Sequence, residues 1–477
     1  MVKVNFDELI DKGLKGEKII NPGAGNPEVA KAIANEWIKR DFRKIGLLRD
    51  EIEKVIFTFY GMKDLASQVI QHQPFYYDGG RNWWYWDFGL LCWKLTDETD
   101  ILNAIGLLST ANTVKSKEKN EILEALKQVA RRNKPLSIKP TWIQFKDYIF
   151  GIETGIKYTP SPEYFTSNPI PYILNMENIE DTPIMDRIFE EWVGKDNIKI
   201  LYEILAYCLI PSYPIHRLFC FIGGGLNGKS CFLRLLEKFI GTENVCSTEL
   251  DTLLSSRFEV TRLYKKLVCL MGETNFAELN KTSLIKKLTG GDIIGFEYKN
   301  KTPFEEHNYA KIIIATNNLP TTTDKSLGFY RRWLIIDFPN QFSEEKDILS
   351  EIPEKEYECL ALKCCSILHD LLKTRKFTNE GTVEDRAKKF EEKSNFFDKF
   401  WQEYIIEDFE AYITSNDFIK RLSEFCKNNK QRMLSAKDIA EKMGDKGIKQ
   451  DLPYMEWWEN DKQIKKRVRA WMGIRWR

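Results

Sequence analysis

Leu218-Phe219-Cys220-Phe221-Ile222 runs directly into Gly223-Gly224-Gly225-Leu226-Asn227-Gly228-Lys229-Ser230. Five apolar residues closed by glycines have the length and character of a buried strand. The eight that follow fit G-x-x-x-x-G-K-S, a phosphate-binding loop. Such a loop must open a helix. Cys231, Phe232, Leu235, Leu236, Phe239 and Ile240 fall on one helical face, and Gly241 supplies a C-terminal stop. Each part has a physical task. Glycines let backbone N–H groups turn inward around phosphates, and the helix N-terminus adds positive potential. Lys229 is placed to reach the β- and γ-phosphates, and the Ser230 hydroxyl to bind Mg²⁺. ATP and Mg²⁺ are therefore the expected cofactors, held by Gly223, Gly224, Gly225, Leu226, Asn227, Gly228, Lys229 and Ser230. With strand and helix both in place, an accidental match is a poor account of the motif.

A phosphate loop needs an acid at the end of a second strand. Leu267-Val268-Cys269-Leu270-Met271 has strand length, and Gly272-Glu273-Thr274 follows. Glu273 can orient and help deprotonate the attacking water, or help hold Mg²⁺; alone, it would read as a solvated strand end. A third strand, Ile312-Ile313-Ile314-Ala315-Thr316, ends in Asn317-Asn318-Leu319-Pro320. A polar amide there can sense the γ-phosphate, although those four residues in isolation would be a turn. Arg331 and Arg332 precede the strand Trp333-Leu334-Ile335-Ile336. An arginine at the edge of a nucleotide domain can complete a neighbour's site, and a surface ion pair is the plain alternative. Between acid and sensor, residues 293–309 read as a β-hairpin with Lys299-Asn300-Lys301 at its tip. Lysines are also common in solvated turns.

The surrounding chain is 477 residues long, enough for about three domains at roughly 150 residues each. Its 43% hydrophobic and 30% charged residues suit an ordinary globular protein rather than a disordered one. With 71 Lys plus Arg against 70 Asp plus Glu, it cannot coat nucleic acid with its whole surface, so any basic site is local. No apolar run reaches the roughly 18 residues of a membrane helix. The first 13 residues carry Asp7, Glu8 and Asp11 and lack the apolar core of a signal peptide, so the expected location is the cytoplasm, with no membrane partner. The ten cysteines form no C-x-x-C pair, which argues against a zinc ribbon and for buried reduced thiols.

Six regions are expected. Residues 1–74 are a helical N-terminal region and 75–160 an aromatic-rich mixed domain. Residues 161–215 form a helical collar or linker, and 216–345 an α/β core whose short strands alternate with helices. Residues 346–395 are a helical segment with a charged hinge at 380–395, and 396–477 a small, mostly helical domain. In the second region, Phe75-Tyr76-Tyr77 and Trp83-Trp84-Tyr85-Trp86 flank Asp78-Gly79-Gly80, the pattern of a β-meander. Its rings could stack on single-stranded bases; packing against one another in a small sheet is the plainer expectation. At the other end, residues 435–446 fit one helix of a helix-turn-helix or winged-helix module. Lys465, Lys466, Arg467, Arg469, Arg475 and Arg477 make a basic end that suits DNA docking or a solvated tail. Trp471, Met472, Ile474 and Trp476 favour a folded segment there.

Taken in order, GGGLNGKS at 223–230, LVCLMGET at 267–274, KKLTGGDIIGFEYKNK at 286–301, IIIATNNLP at 312–320 and GFYRRW at 328–333 resemble a superfamily 3 helicase of the AAA+ class. The resemblance is closest to the poxvirus and phage or plasmid primase-helicase branch, and Ser161-Pro162-Glu163-Tyr164-Phe165-Thr166 resembles the segment preceding the helicase core there. It covers about 160–345 well and 390–477 loosely. It implies a P-loop AAA+ core working in DNA replication of a mobile element. The activity implied is an ATP-driven ring, usually a hexamer, moving 3′ to 5′ on single-stranded DNA and opening forked duplex DNA, with a separate primase or polymerase as a partner. By position, Lys229 and Ser230 would be the phosphate and Mg²⁺ ligands, with Glu273 the catalytic acid and a second candidate for the metal. Asn317 would be the sensor, Arg332 the finger acting in trans with Arg331 the neighbouring alternative, and Lys299 and Lys301 the pore-hairpin residues that grip DNA. Gly272 precedes Glu273 where many members of the superfamily carry a second acid. No paired-acid primase site is evident: Asp97-Glu98-Thr99-Asp100 looks like a loop, and His72 is the only histidine in the first 200 residues.

Two other classes compete. One is an ATP-switched origin-binding initiator or helicase loader with slow hydrolysis, against which the basic hairpin argues. The other is a packaging or remodelling motor, for which residues 345–477 lack the clustered acids of a nuclease.

Overall fold

The structure is a computed structural model; it describes residues 62–108, 116–177, 181–272, 278–279, 281–299, 301–317, 319–343, 347–428, 433–459 and 462–477. Most of the expected helical region 1–74 lies outside the described residues. The chain divides into two compact units. The first takes residues up to 151 with 155–169 and 300–304; the second takes 152–154, 170–299 and 305–477.

In the first unit, helix α1 (Met62–His72) leads into an antiparallel meander of β1 (Phe75–Tyr77), β2 (Trp83–Asp87) and β3 (Cys92–Thr96). Helices α2 (Glu98–Leu108) and α3 (Ser116–Arg132) follow. Short strands β4 (Leu136–Ser137), β5 (Trp142–Gln144), β6 (Ile149–Gly151), β7 (Lys157–Tyr158) and β8 (Tyr164–Phe165) complete it. Alternation along β2 sends its rings to opposite faces. Trp83 joins Phe75, Ile101 and Leu126 in a core with the helices. On the opposite face, Trp86 meets Trp93 edge-on at 5.8 Å and Trp84 meets Phe165 at 5.0 Å. Trp84 Nε1 donates to Asp78 Oδ2 at 2.8 Å, and Trp93 Nε1 to the Tyr164 carbonyl at 3.1 Å. Both faces are thus covered and Trp83, Trp84, Trp86 and Trp93 are buried. These indoles are core, which answers the choice between packing and base stacking for these four.

The second unit opens with α4 (Pro183–Val193) and α5 (Ile198–Tyr207), separated by Gly194. It continues through β9 (Leu218–Ile222), α6 (Lys229–Ile240), β10 (Val245–Ser247), α7 (Leu250–Ser255), β11 (Val268–Met271), β12 (Glu278–Leu279), α8 (Thr282–Leu288), β13 (Ile293–Phe296) and β14 (Phe304–His307). Then come β15 (Lys311–Thr316), β16 (Thr321–Thr322), α9 (Leu327–Tyr330) and β17 (Trp333–Asp337). Five strands form one parallel sheet in the order β10-β11-β15-β9-β17. Every residue of β9, β11 and β15 is buried, as expected of a parallel sheet covered on both faces. The expected α/β core is therefore a parallel sheet in which β15 lies between β9 and β11. The hairpin of β13 and β14 is present as expected.

Two expectations for the C-terminal third are corrected. The charged stretch 380–395 is not a hinge. After α10 (Glu354–Thr374), α11 (Val383–Ser394) is a helix with a capping box in which Thr382 accepts from the Asp385 N–H. The preceding Glu380 accepts from Arg217 Nη2 at 3.1 Å, and the Arg386 guanidinium donates to the carbonyls of Glu380 and Gly381. The charges of this segment thus make internal bonds that pin it. Nor is 396–477 mostly helical. Helix α12 (Phe396–Tyr404), β18 (Ile405–Thr414), α13 (Ser415–Asn428) and α14 (Ala436–Asp445) are followed by β19 (Gln450–Asp451), β20 (Tyr454–Glu459), β21 (Lys462–Arg467) and β22 (Ala470–Trp476). Strand β22 lies between β18 and β19, and Trp471 and Ile474 pack with Phe400, Phe418 and Met443. The basic end is folded. Among the described residues no helix is long and apolar enough to cross a membrane. All ten cysteines are free, eight of them buried.

Candidate nucleotide site

The ends of parallel strands are where open α/β sheets bind ligands, and three predicted elements meet there. The loop after β9, Gly272 after β11 and Asn317 after β15 all line one cavity of about 620 Å³. That volume lies within the usual range for small-molecule sites, roughly 300–1,000 Å³.

The loop's shape depends on two glycines. Gly228 has φ +89°, and a Cβ there would fall 2.4 Å from the Trp192 ring. At Gly223 a Cβ would fall 2.5 Å from the Phe338 carbonyl. The chain beyond β17 holds the loop from behind. Asn227 Nδ2 donates to the Phe338 carbonyl at 3.3 Å, and the Phe342 N–H to the Leu226 carbonyl at 2.7 Å. Helix α6 starts at Lys229, directly after the left-handed Gly228, and buries its apolar positions Phe232, Leu235, Leu236, Phe239 and Ile240.

Lys229 is only 6% exposed. Its Nζ donates to the Gly223 carbonyl at 2.7 Å, to Asn227 Oδ1 at 3.0 Å and to Asn317 Oδ1 at 3.2 Å. The loop lysine and the expected sensor are thus in direct contact across the ends of neighbouring strands. All three acceptors are neutral, and a phosphate oxygen would offer the ammonium a stronger charge-assisted partner. Ser230 is exposed in the first turn of α6 and lines the same cavity. Glu273 lies outside the described residues.

Sequence reasoning did not find the cavity's outer wall. Trp192 and Arg187 of α4 line it, with Phe342, Ile348 and Glu351 from the chain after β17. Arg187 bridges Glu191 at 2.8 Å and Glu351 at 2.6 Å, tying α4 to that chain at the rim. The only available signal was indirect: Met185, Ile188, Phe189 and Trp192 follow helical spacing, but spacing alone does not say that this face backs a phosphate loop.

The two arginines part company. Arg331, the C-cap of α9, is exposed. Arg332 is 7% exposed. Its Nε donates to Thr289 Oγ1 at 2.9 Å, its Nη2 to the Lys286 carbonyl at 3.1 Å and its Nη1 to the Gly328 carbonyl. A guanidinium enclosed in this way is not presented to a neighbouring copy. Of the two expected candidates for a trans-acting residue, Arg332 is thus enclosed and Arg331 is exposed. Lys299 and Lys301 are exposed at the hairpin, away from the cavity lining. In the first unit, Arg81 Nη1 donates to Thr302 Oγ1 at 3.2 Å. Among the described residues no cluster of His, Cys, Asp and Glu could hold a metal ion by itself.

Residues 221–332 match a family of unknown function, DUF5906. The uncharacterized mitochondrial protein ymf21 of Marchantia polymorpha is 29% identical over 128 residues, which are 24% of this chain and 71% of that protein. Among solved structures, the A form apo structure of the NrS-1 C-terminal region is similar with a TM-score of 0.44 and 13% identity, over 85% of this chain and 97% of that one. The apo structure of the same region aligns with a TM-score of 0.45 and 14% identity, over 87% of this chain and 99% of that one.

Proposed function

We propose that this chain is an ATP-hydrolysing motor of the superfamily 3 type, working on single-stranded DNA as a ring of identical copies. The observation that carries the reading is the 3.2 Å contact between Lys229 Nζ and Asn317 Oδ1. It joins the phosphate loop to the strand inserted between β9 and β11, so one γ-phosphate could bond both. In this reading Lys229 neutralises charge on the transferred phosphoryl group and Asn317 orients it and the attacking water. Glu273 accepts the water's proton. Mg²⁺ suits a site with the exposed Ser230 hydroxyl, phosphate oxygens and water, since it keeps several waters and needs few protein ligands. When bound, it would neutralise developing phosphate charge. Exposed Arg331 is the residue available to reach a neighbour's site, and a head-to-tail contact of that kind closes into a ring. Lys299 and Lys301 supply a local positive charge for a DNA strand. Movement 3′ to 5′, a hexamer, forked duplex DNA as the substrate and a separate primase or polymerase as partner complete the proposal.

The test measures ATP hydrolysis with Mg²⁺, with and without single-stranded DNA, and unwinding of a forked duplex. The motor reading requires hydrolysis that DNA stimulates and unwinding that Lys229→Ala and Glu273→Gln both abolish. ATP binding with slow, DNA-indifferent hydrolysis and no unwinding would favour the initiator or loader instead.

A further inference from the structure

The Arg332 guanidinium joins two segments that the motor reading treats separately. Helix α8 leads through residues 289–292 into the hairpin. The short helix α9 ends at Arg331. Arg332 donates to the Lys286 carbonyl and Thr289 Oγ1 on the first segment and to the Gly328 carbonyl on the second. The hairpin base is itself closed onto α8. Asn308 Nδ2 donates to the Leu288 carbonyl at 2.8 Å, and His307 Nδ1 lies 2.7 Å from the Gly291 carbonyl. A second strut runs parallel. Asp324 accepts from Thr282 Oγ1 at 2.5 Å and Lys286 Nζ at 2.6 Å, and from the Ser326 hydroxyl at 2.6 Å. Ser326 in turn caps α9 by accepting from the Phe329 N–H.

We infer that Arg332 is a positioning residue that makes the hairpin base and the turn bearing Arg331 move as one body, so that a strand held by the hairpin sets where Arg331 lies. The chemistry suits such a task. A guanidinium is planar and presents donors in several directions at once, so it can hold three acceptors from two segments; a lysine ammonium is a point charge on a flexible stem. Burying the charge is costly, and an apolar side chain of similar volume would fill the space without that desolvation. A lone structural filler would not need three directed bonds.

This rests on the motor reading. The experiment measures hydrolysis by the full chain with and without single-stranded DNA, DNA affinity, and thermal unfolding, for wild type, Arg332→Met, Lys299→Ala with Lys301→Ala, and the triple variant. The expected result is a folded Arg332→Met that binds DNA with wild-type affinity but loses at least fivefold in the ratio of stimulated to unstimulated hydrolysis. The triple variant should lose no more of that ratio than the lysine pair alone, since residues acting in one chain of coupling are not additive. A merely structural role would lower both rates together and leave the ratio unchanged, which overturns the inference. Should Arg332→Met not fold, Thr289→Val removes one acceptor while keeping the volume, and an unchanged ratio there overturns it equally. A wild type that DNA does not stimulate overturns the motor reading and the coupling together. Stimulation of wild type with an unaltered ratio in the variant overturns the coupling alone.

Discussion

The phosphate loop and the brace between α8 and α9 each hold one nearly buried cation that donates to neutral oxygens. Lys229 touches two oxygens of its own loop and the Asn317 amide; Arg332 touches two carbonyls and the Thr289 hydroxyl. In burial they are alike. They differ in what lies beyond. Lys229 lines a cavity of about 620 Å³, whereas Arg332 does not line it and is enclosed by α8 and α9. A cation beside a cavity can exchange its neutral acceptors for an anion. One enclosed by backbone carbonyls binds segments together. The same bonding pattern therefore supports chemistry in one region and geometry in the other.

The largest effect expected is on hydrolysis. Lys229→Met should lower ATP turnover about a thousandfold or more, the scale seen when a charge-stabilising group is removed from acyl or phosphoryl transfer. Yet its stability should change by no more than about 1 kcal/mol, since two of the residues left behind, Asn227 and Asn317, line the cavity, where water can replace the ammonium. Urea unfolding beside steady-state hydrolysis checks both parts. Arg332→Ala should do the reverse to stability, lowering it by about 3 kcal/mol, because buried acceptors lose charge-assisted donors and no water replaces them. If Lys229→Met proved the more destabilising of the two, the contrast between the regions would be lost.

The contrast also explains what the sequence could reveal. The loop was legible because its chemistry acts through the backbone: Gly223 and Gly228 are required by close approaches and turn geometry, and those requirements leave a fixed spacing. Asn317 was legible because an amide ends an apolar strand. The hairpin was legible from its basic tip between two strand-like runs. Arg331 and Arg332 were not separable, since adjacent arginines have the same local pattern and only tertiary packing decides which one α8 encloses. Trp192 and the Arg187–Glu351 rim were hidden for the same reason. The stretch 380–395 was misread because charge density suggests solvent, while Glu380 and Arg386 make internal bonds. The aromatic run at 83–86 was ambiguous until a second layer was seen to cover its other face.

Lys311 sharpens the comparison as a third buried cation with less to bind. It is fully buried at the start of β15, donates to the Ile210 carbonyl and lies 5.1 Å from the Tyr207 ring centre and 5.8 Å from that of Tyr213. Burial pushes its ammonium down to about 7. An unfolded lysine titrates near 10.4, so between these values the folded chain binds fewer protons. The Lys311 contribution to stability is therefore fully present above about 10.4 and falls as pH drops through that window to about 7. The slope approaches about 1.4 kcal/mol per pH unit in its middle. The buried Cys208 thiol, pushed up to about 12, and the raised tyrosines shift stability the other way at high pH. The clean observable is thus the difference between wild type and Lys311→Met, which should widen in favour of the methionine variant as pH falls from 9 to 7. A difference independent of pH would mean that burial does not depress this lysine.

The smallest effect should come from the brace's second strut. Burial pushes the Asp324 carboxyl up, but the bonds from Lys286, Ser326 and Thr282 outweigh it and hold the group well below the usual carboxylate range. A depressed acid contributes stability that is present above its unfolded value, near 3.9, and is lost as pH falls through the lower folded value. At neutral pH, Asp324→Asn should therefore destabilise by about 1 kcal/mol, since an amide oxygen keeps some of the bonds but not the charge opposite Lys286. The gap between variant and wild type should start to narrow below about pH 3.9, where the unfolded carboxylate takes up its proton first, and close only as pH falls through the lower folded value. If the struts also act as one body, Asp324→Asn combined with Arg332→Met should lose less stability than the sum of the separate losses, because removing either already frees α9 from α8. Strict additivity would divide the brace into two independent contacts, leaving Arg332 to couple the hairpin to Arg331 without help from Asp324.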